Sequence, residues 1–266
     1  MKRFLPLALM IGGFAAHAAA FENPRQAPGY MQSSWSTVHT DSSNSDHVPL
    51  AMTSNVRQRW HVLKGAGIWT PPVVAADGTV YAVTGEGPGH SHLHAISPAG
   101  DILWQSAPQQ SLSDFDSLAV FSAPILDEDG DIYIGDGNQF WAFHPDGKVK
   151  WVTELPGLGI QGGFVTGMFV DGYVGGVSID GKVMLLHRSS GELAMPVLDL
   201  PGAAGPLGPP IPDPLWKNLV DPAIRDQVWE ILRGHRYEIT NTPAVHPRTG
   251  RIYVIGAGAD ESEGHF

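Results

Sequence analysis

Residues 122–134 carry the clearest structural signal of the chain and read Ser122-Ala123-Pro124-Ile125-Leu126-Asp127-Glu128-Asp129-Gly130-Asp131-Ile132-Tyr133-Ile134. An apolar pair follows the proline, an acidic stretch ends in Asp-Gly-Asp, and a second apolar run follows at once. A glycine-containing turn between two apolar runs is typical of a tight β-hairpin, because glycine adopts the positive φ that such turns require. The stretch therefore predicts two short antiparallel strands.

The same pattern returns along the chain. One further copy spans residues 70–83, another spans 241–254, and a weaker copy without the proline spans 168–177. After two of these copies, a strand, a glycine-containing turn and a second strand follow, and the last strand holds Trp104 or Trp151. Each unit thus predicts four short strands, which must stack around an axis because no unit can bury both of its faces alone. The predicted fold class is all-β: a β-propeller with about four four-stranded blades in this chain.

The blade pattern resembles that of the pyrroloquinoline-quinone-type, or quinoprotein-like, β-propellers. The shared motif is Ser/Thr/Asn-x-Pro followed by two apolar residues, then Asp-Gly-x-apolar-Tyr, then Gly-x-apolar-x-Trp, and it covers roughly residues 60–266. The resemblance implies a ring of seven or eight blades, of which this chain would be a truncated part. A complete four-bladed ring is the alternative. In such a ring Arg57–Leu63 is expected to be an outer strand, and Trp60, Trp104 and Trp151 are expected to pack between blades.

The N-terminus predicts export. Lys2 and Arg3 precede an apolar run from Phe4 to Ala16, and three small residues end at Ala20. A basic start, a short apolar run and an A-x-A exit are typical of a secretory signal peptide, and the run is shorter than the ~20 residues that span a bilayer. We therefore expect a signal peptide over residues 1–20, removal near Ala20, a periplasmic or secreted product and no membrane span.

The composition of the chain excludes several classes of function. The chain of 266 residues has 16 Lys and Arg against 27 Asp and Glu, a formal charge of -11, and no Cys. An acidic chain is a poor partner for nucleic acid, and the lack of Cys excludes disulfides and thiolate sites.

The sequence predicts three further regions. Residues 21–55 are expected to form a polar lead-in, and residues 56–266 are expected to form the propeller. A Pro- and Gly-rich loop with short helices is predicted as an insertion at 196–234. It is interpreted either as a lid or partner-docking arm, or as an insertion without a function of its own that packs on neighbouring blades.

Two stretches are candidate metal sites. His90, His92 and His94 lie where alternate residues of a strand share a face, so a zinc or copper site is one interpretation and a polar hairpin is the other. Asp127–Asp131 is similar to the start of a calcium loop, but a strand follows where a further carboxylate is required. We therefore interpret the acidic stretch as a solvated hairpin turn.

The sequence leaves two classes of function open. The first is an exported, non-catalytic propeller that binds a protein or a small-molecule ligand at its axial face, similar to the quinoprotein-like scaffolds of outer-membrane assembly. The second, implied only by the resemblance, is a periplasmic dehydrogenase that uses pyrroloquinoline quinone with calcium in the central funnel. Many such enzymes press a vicinal Cys pair on the cofactor, which a chain without Cys excludes. No catalytic or cofactor-binding residue is assigned, and the first class is favoured.

Overall fold

The computed structural model describes residues 22–48, 54–68, 70–84, 92–106, 122–135, 139–154, 164–178, 181–200, 242–257 and 264–265. The predicted signal peptide, His90 and most of the predicted insertion lie outside these residues. Within them the chain is built from antiparallel sheets, and the predicted β-propeller of four-stranded blades is confirmed.

Three sheets have four strands each in simple sequence order. Blade 1 contains β1 (Val73–Val74), β2 (Val80–Thr84), β3 (His92–Ile96) and β4 (Ile102–Gln105). Blade 2 contains β5 (Ile125–Leu126), β6 (Ile132–Gly135), β7 (Gln139–Phe143) and β8 (Val149–Glu154). Blade 3 contains β9 (Phe164–Val170), β10 (Tyr173–Ser178), β11 (Lys182–His187) and β12 (Leu198–Asp199).

A fourth unit is described in part. The strands β13 (Ala244–Val245) and β14 (Ile252–Tyr253) pair with each other, and so do β15 (Gly256–Ala257) and β16 (Gly264–His265). The pairing Val245↔Ile252 repeats the pairings Val74↔Val80 and Leu126↔Ile132 of blades 1 and 2. We call this unit blade 4.

Burial distinguishes the inner strands of the blades from the outer ones. The two residues of β5 are wholly buried, whereas three of the four residues of β4 are exposed. In blades 1 to 3 the first strand therefore lies inside and the fourth lies nearer the rim. Apolar side chains fill the space between neighbouring blades: one cluster joins Tyr81 and Leu93 to Trp141, and a second joins Phe140 to Phe169 and Leu186.

Trp104 and Trp151 pack between neighbouring blades, as the sequence predicts, and Trp60 packs on blade 1 in the same way. Each indole N–H donates to a carbonyl of the turn before the next outer strand: Trp60 to Pro98 (3.1 Å), Trp104 to Pro145 (2.8 Å) and Trp151 to Arg188 (2.8 Å). Each ring also lies against the glycine of that turn, which leaves no room there for a Cβ atom.

Two expectations about the strands are corrected. The outer strand expected at Arg57–Leu63 does not form among the described residues, because residues 54–66 are assigned no strand and no described strand pairs with them, although Trp60 docks as the other tryptophans do. The predicted insertion at 196–234 begins too early, because Leu198–Asp199 pairs with Lys182 and Val183 as the outer strand of blade 3. Residues 201–234 lie outside the described residues.

Candidate functional site

The inner strands of the blades converge on residues 22–48, which we call the axial segment. The backbone of Trp35 pairs with Val74 of β1, where the Val74 N–H donates to the Trp35 carbonyl (2.7 Å). Leu126 of β5 donates to the Ser36 carbonyl (3.1 Å) and accepts from the Met31 N–H (2.9 Å). These bonds satisfy inner-strand edges that would otherwise be unpaired.

The axial segment also reaches blades 3 and 4. The Phe169 N–H of β9 donates to the Tyr30 hydroxyl oxygen (3.1 Å), and the two rings meet edge to face. Val245 of β13 donates to the Ser42 carbonyl (2.6 Å), and the Asn44 side chain donates to the Thr242 carbonyl (2.8 Å). One segment therefore contacts all four units.

Polar side chains of the axial segment bond mainly to one another. Gln26 donates to the Met31 carbonyl (3.0 Å) and to the Ser36 hydroxyl, and its carbonyl oxygen accepts from the Ser42 N–H (3.1 Å). The wholly buried Asp41 accepts hydrogen bonds from the Asn23 side chain and from the backbone of Ser43. Buried polar groups need such partners, so these bonds fix the shape of the segment.

A second polar cluster links blades 2 and 3 at the acidic hairpin turn. Asp127 is 1% exposed and accepts a hydrogen bond from the Tyr133 hydroxyl (2.9 Å). The Arg188 guanidinium of blade 3 donates to both carboxylate oxygens of Glu128 (2.8 Å each) and lies 3.5 Å from Asp127. The interpretation of this stretch as a solvated turn is thus corrected: its turn is confirmed, but Asp127 and Asp131 are buried.

The ionisation of this cluster follows from its packing. Burial raises the pKa of Asp127, partly offset by its bond to Tyr133. The hydrogen bond from Arg188 lowers the pKa of Glu128 and raises that of the guanidinium. Burial, with the neighbouring Asp127, also raises the pKa of Tyr133. The cluster is therefore a paired ionic contact between two blades, and its acidic groups are engaged within the protein.

The structure brings together two of the three predicted metal ligands. The imidazole rings of His92 and His94 lie 6.0 Å apart on β3. His92 Nδ1 is 2.7 Å from the Ser106 carbonyl oxygen, and His94 Nε2 is 3.0 Å from the Thr84 hydroxyl. His90 lies outside the described residues. Among the residues that the structure describes, no three His, Asp or Glu side chains are placed to hold a metal ion. Metal binding by these histidines stays a prediction, which zinc titration of the protein and of its His92→Ala variant tests.

Sequence reasoning missed the axial segment as a site. The polar stretch from Ser33 to Ser45 gives no strand or helix signal, and its only apolar anchors are isolated residues such as Trp35. Its position becomes visible only once the inner strands are placed. Among the described residues there is no helix of sufficient length and apolar character to cross a bilayer.

Solved structures similar to this chain include two quinohemoprotein alcohol dehydrogenases and BamB. A quinohemoprotein alcohol dehydrogenase from Pseudomonas putida HK5 matches with a TM-score of 0.52 and 15% identity, over 88% of this chain and 35% of that one. The quinohemoprotein alcohol dehydrogenase from Comamonas testosteroni matches with a TM-score of 0.49 and 20% identity, over 60% of this chain and 26% of its own. BamB from Moraxella catarrhalis matches with a TM-score of 0.38 and 21% identity, over 52% of this chain and 38% of its own.

At identities of 15% to 21% these matches are evidence for the fold alone. The match to the Pseudomonas putida enzyme, with a TM-score of 0.52, supports that fold. No family model matches the sequence, and no curated protein does. The chain spans about a third or less of the length of the two alcohol dehydrogenases. In fold, the chain is therefore a quinoprotein-like β-propeller, as its repeats predict.

The described residues near the axis do not fit a quinone and its ion. The inner strands β1, β5 and β13 bond to the main chain of the axial segment. The buried acidic side chain of this segment, Asp41, accepts hydrogen bonds from Asn23, Ser43 and Ser45 of the same segment. A quinone and a cation would need polar groups aimed into an open chamber there.

Proposed function

We propose that this chain belongs to an exported, non-catalytic β-propeller that binds a protein partner at its axial face. One observation carries this proposal: the inner strands of all four described units hold a stretch of polypeptide, the axial segment, mainly through backbone hydrogen bonds. A surface that bonds to the main chain of one segment suits a polypeptide better than a flat aromatic cofactor. Export is inferred from Lys2, Arg3 and the apolar run that ends near Ala20.

A titration with pyrroloquinoline quinone distinguishes this function from a dehydrogenase. The chain has eight Trp residues, so cofactor binding near the axis would quench its fluorescence. We expect no saturable quenching by micromolar quinone in the presence of calcium, and no dye reduction with alcohols or sugars. Saturable quenching with calcium dependence would overturn the proposal and establish a quinone site.

Export and partner binding are tested on the same preparation. We expect N-terminal sequencing of the protein from the periplasm or medium to begin close to Phe21, because the signal peptide ends near Ala20. We also expect a tagged copy, crosslinked in the cell, to retain a specific protein. An unprocessed N-terminus in a cytoplasmic fraction would contradict export, and a tagged copy without any crosslinked protein would contradict the binding role.

A further inference from the structure

Most of the hydrogen bonds described between the axial segment and the blades use the backbone of the segment. Those that involve Trp35, Ser36, Ser42 and the Gly29 carbonyl, which accepts from the Glu128 N–H (3.2 Å), use the segment's backbone. Recognition through the backbone depends little on side-chain identity and is the way in which sheet edges bind extended peptides. We call the receiving surface, formed by β1, β5, β13 and the Phe169 end of β9, the axial groove.

A few side chains give this docking its register. Tyr30 is 3% exposed, packs against Phe169 at a ring distance of 4.8 Å and accepts the Phe169 N–H. The Met31 sulfur lies 3.2 Å from the Ala76 N–H in blade 1. Because these anchors sit beside Gly29 and the bonded Met31 N–H, they fix which backbone groups meet β5.

The remaining polar groups of the segment are satisfied internally. Gln26 connects the backbone of Met31 and Ser42, and the Ser42 hydroxyl accepts from the Ala27 N–H (2.8 Å). Asp41 connects Asn23 to Ser45. These internal bonds do not involve the blades. Departure of the segment breaks the bonds across the axial groove and also exposes Ala27 and Tyr30, which are buried in an apolar cluster with residues of blades 2 and 3.

From this division we infer that the axial segment is a separable plug, and that the axial groove is a binding site for a polypeptide that pairs through its backbone, which residues 22–48 fill within their own chain. Release of the plug exposes the inner-strand edges to the backbone of a partner. This inference rests on the proposed binding function and specifies the class of ligand, a polypeptide that pairs through its backbone.

The experiment cuts the chain after it has folded. A protease site replaces residues 49–53, which follow the axial segment, and the purified protein is cleaved and passed over a sizing column. We expect the 22–48 fragment to stay bound and a fluorescent synthetic 22–48 peptide to exchange into the nicked protein. A peptide N-methylated at Met31 loses the bond to the Leu126 carbonyl, so its affinity is expected to fall about tenfold or more.

The control is a peptide with His39→Ala, because the His39 ring bonds to Asp46 inside the segment. Its affinity is expected to stay within about twofold of the parent peptide, since no groove contact is lost. Unfolding of the blades on removal of the fragment would overturn the inference, and so would exchange no faster than global unfolding measured by hydrogen exchange. If the synthetic peptide exchanges into the nicked protein but crosslinking in the cell captures no partner, the proposed function is contradicted. The inference that the axial groove binds a polypeptide is then still supported.

Discussion

At the scale of single residues, glycines that face tryptophan rings set the fit between neighbouring blades. Gly147 has φ +85°, and a Cβ atom there would come within 2.7 Å of the Trp104 ring. Gly172 has nearly the same φ, +84°, but a Cβ atom there would meet nothing within 4 Å. The two positions therefore share the backbone requirement for glycine and differ in the contact with the ring.

This pair gives a matched prediction. Gly172→Ala is expected to cost about 1 kcal/mol of unfolding free energy, because alanine is strained at positive φ. Gly147→Ala is expected to cost about 1–3 kcal/mol more, because it also displaces Trp104. Urea unfolding of both variants checks the difference. Equal losses would mean that the ring contact contributes nothing to the joining of blades 1 and 2.

The sequence predicts such repeated contacts well and isolated ones poorly. Trp60, Trp104 and Trp151 recur in register with the blade pattern, so their shared role could be inferred and is confirmed. Asp127 has the turn position of Ala75, which is also buried, but a carboxylate there needs partners. Its partners Tyr133 and Arg188 come from other strands and another blade, and nothing local in the sequence indicates that they meet.

At the scale of elements, the turn that follows β5 is tied to the turn that follows β11 by the Glu128–Arg188 pair. The pKa of Glu128 is lowered by this hydrogen bond, so the folded state holds the proton less tightly than the unfolded chain does. The contribution of the pair is present above the ordinary Glu value of 4.5 and is lost as the pH falls through the lower folded value.

Glu128→Gln is accordingly expected to lower the free energy of unfolding at neutral pH. The difference from the parent protein is expected to shrink as the pH falls from about 5 to 3. The loss is expected to stay within about 1 kcal/mol, since the Glu128 side chain is 46% exposed. Thermal unfolding at several pH values measures it, with Glu192→Gln on the same turn as Arg188 as the control. A difference between Glu128→Gln and the parent that did not change with pH would contradict this assignment.

Strand prediction succeeds where hydrogen-bonding partners lie close in the sequence. The hairpins β1–β2 and β5–β6 follow directly from Pro, the apolar pair and Asp-Gly, and both form as antiparallel pairs. The stretch at Arg57–Leu63 has the apolar and tryptophan signals of an outer strand, but a strand also requires a partner, and no described strand pairs with it. The outer strand β12 has only two residues and no alternating pattern, and it lies in the Pro-rich stretch that begins at Pro196. The sequence pattern therefore does not predict it.

At the scale of the whole molecule, the axial segment couples blades that are far apart in the sequence. The N–H groups of Val74, Leu126 and Val245 belong to three different units, and all donate to carbonyls of this one segment. A disturbance confined to the segment should therefore be felt in all three units together. This coupling could not be inferred from the polar composition of residues 21–55, because it depends on backbone groups, which every sequence has.

Gln26→Ala tests the coupling without changing any side chain of the blades. Gln26 is 7% exposed and bonds to Met31, Ser36 and Ser42 within the segment, so its removal leaves buried polar groups unsatisfied. Hydrogen exchange at Val74, Leu126 and Val245 is expected to accelerate by a similar factor, about 5- to 100-fold, since they share one opening event. Gln58→Ala, whose side chain donates to the exposed stretch at Trp60, should leave these rates unchanged. Acceleration at only one of the three amides would mean that the segment contacts each blade independently, and the axial groove would then not act as a single site.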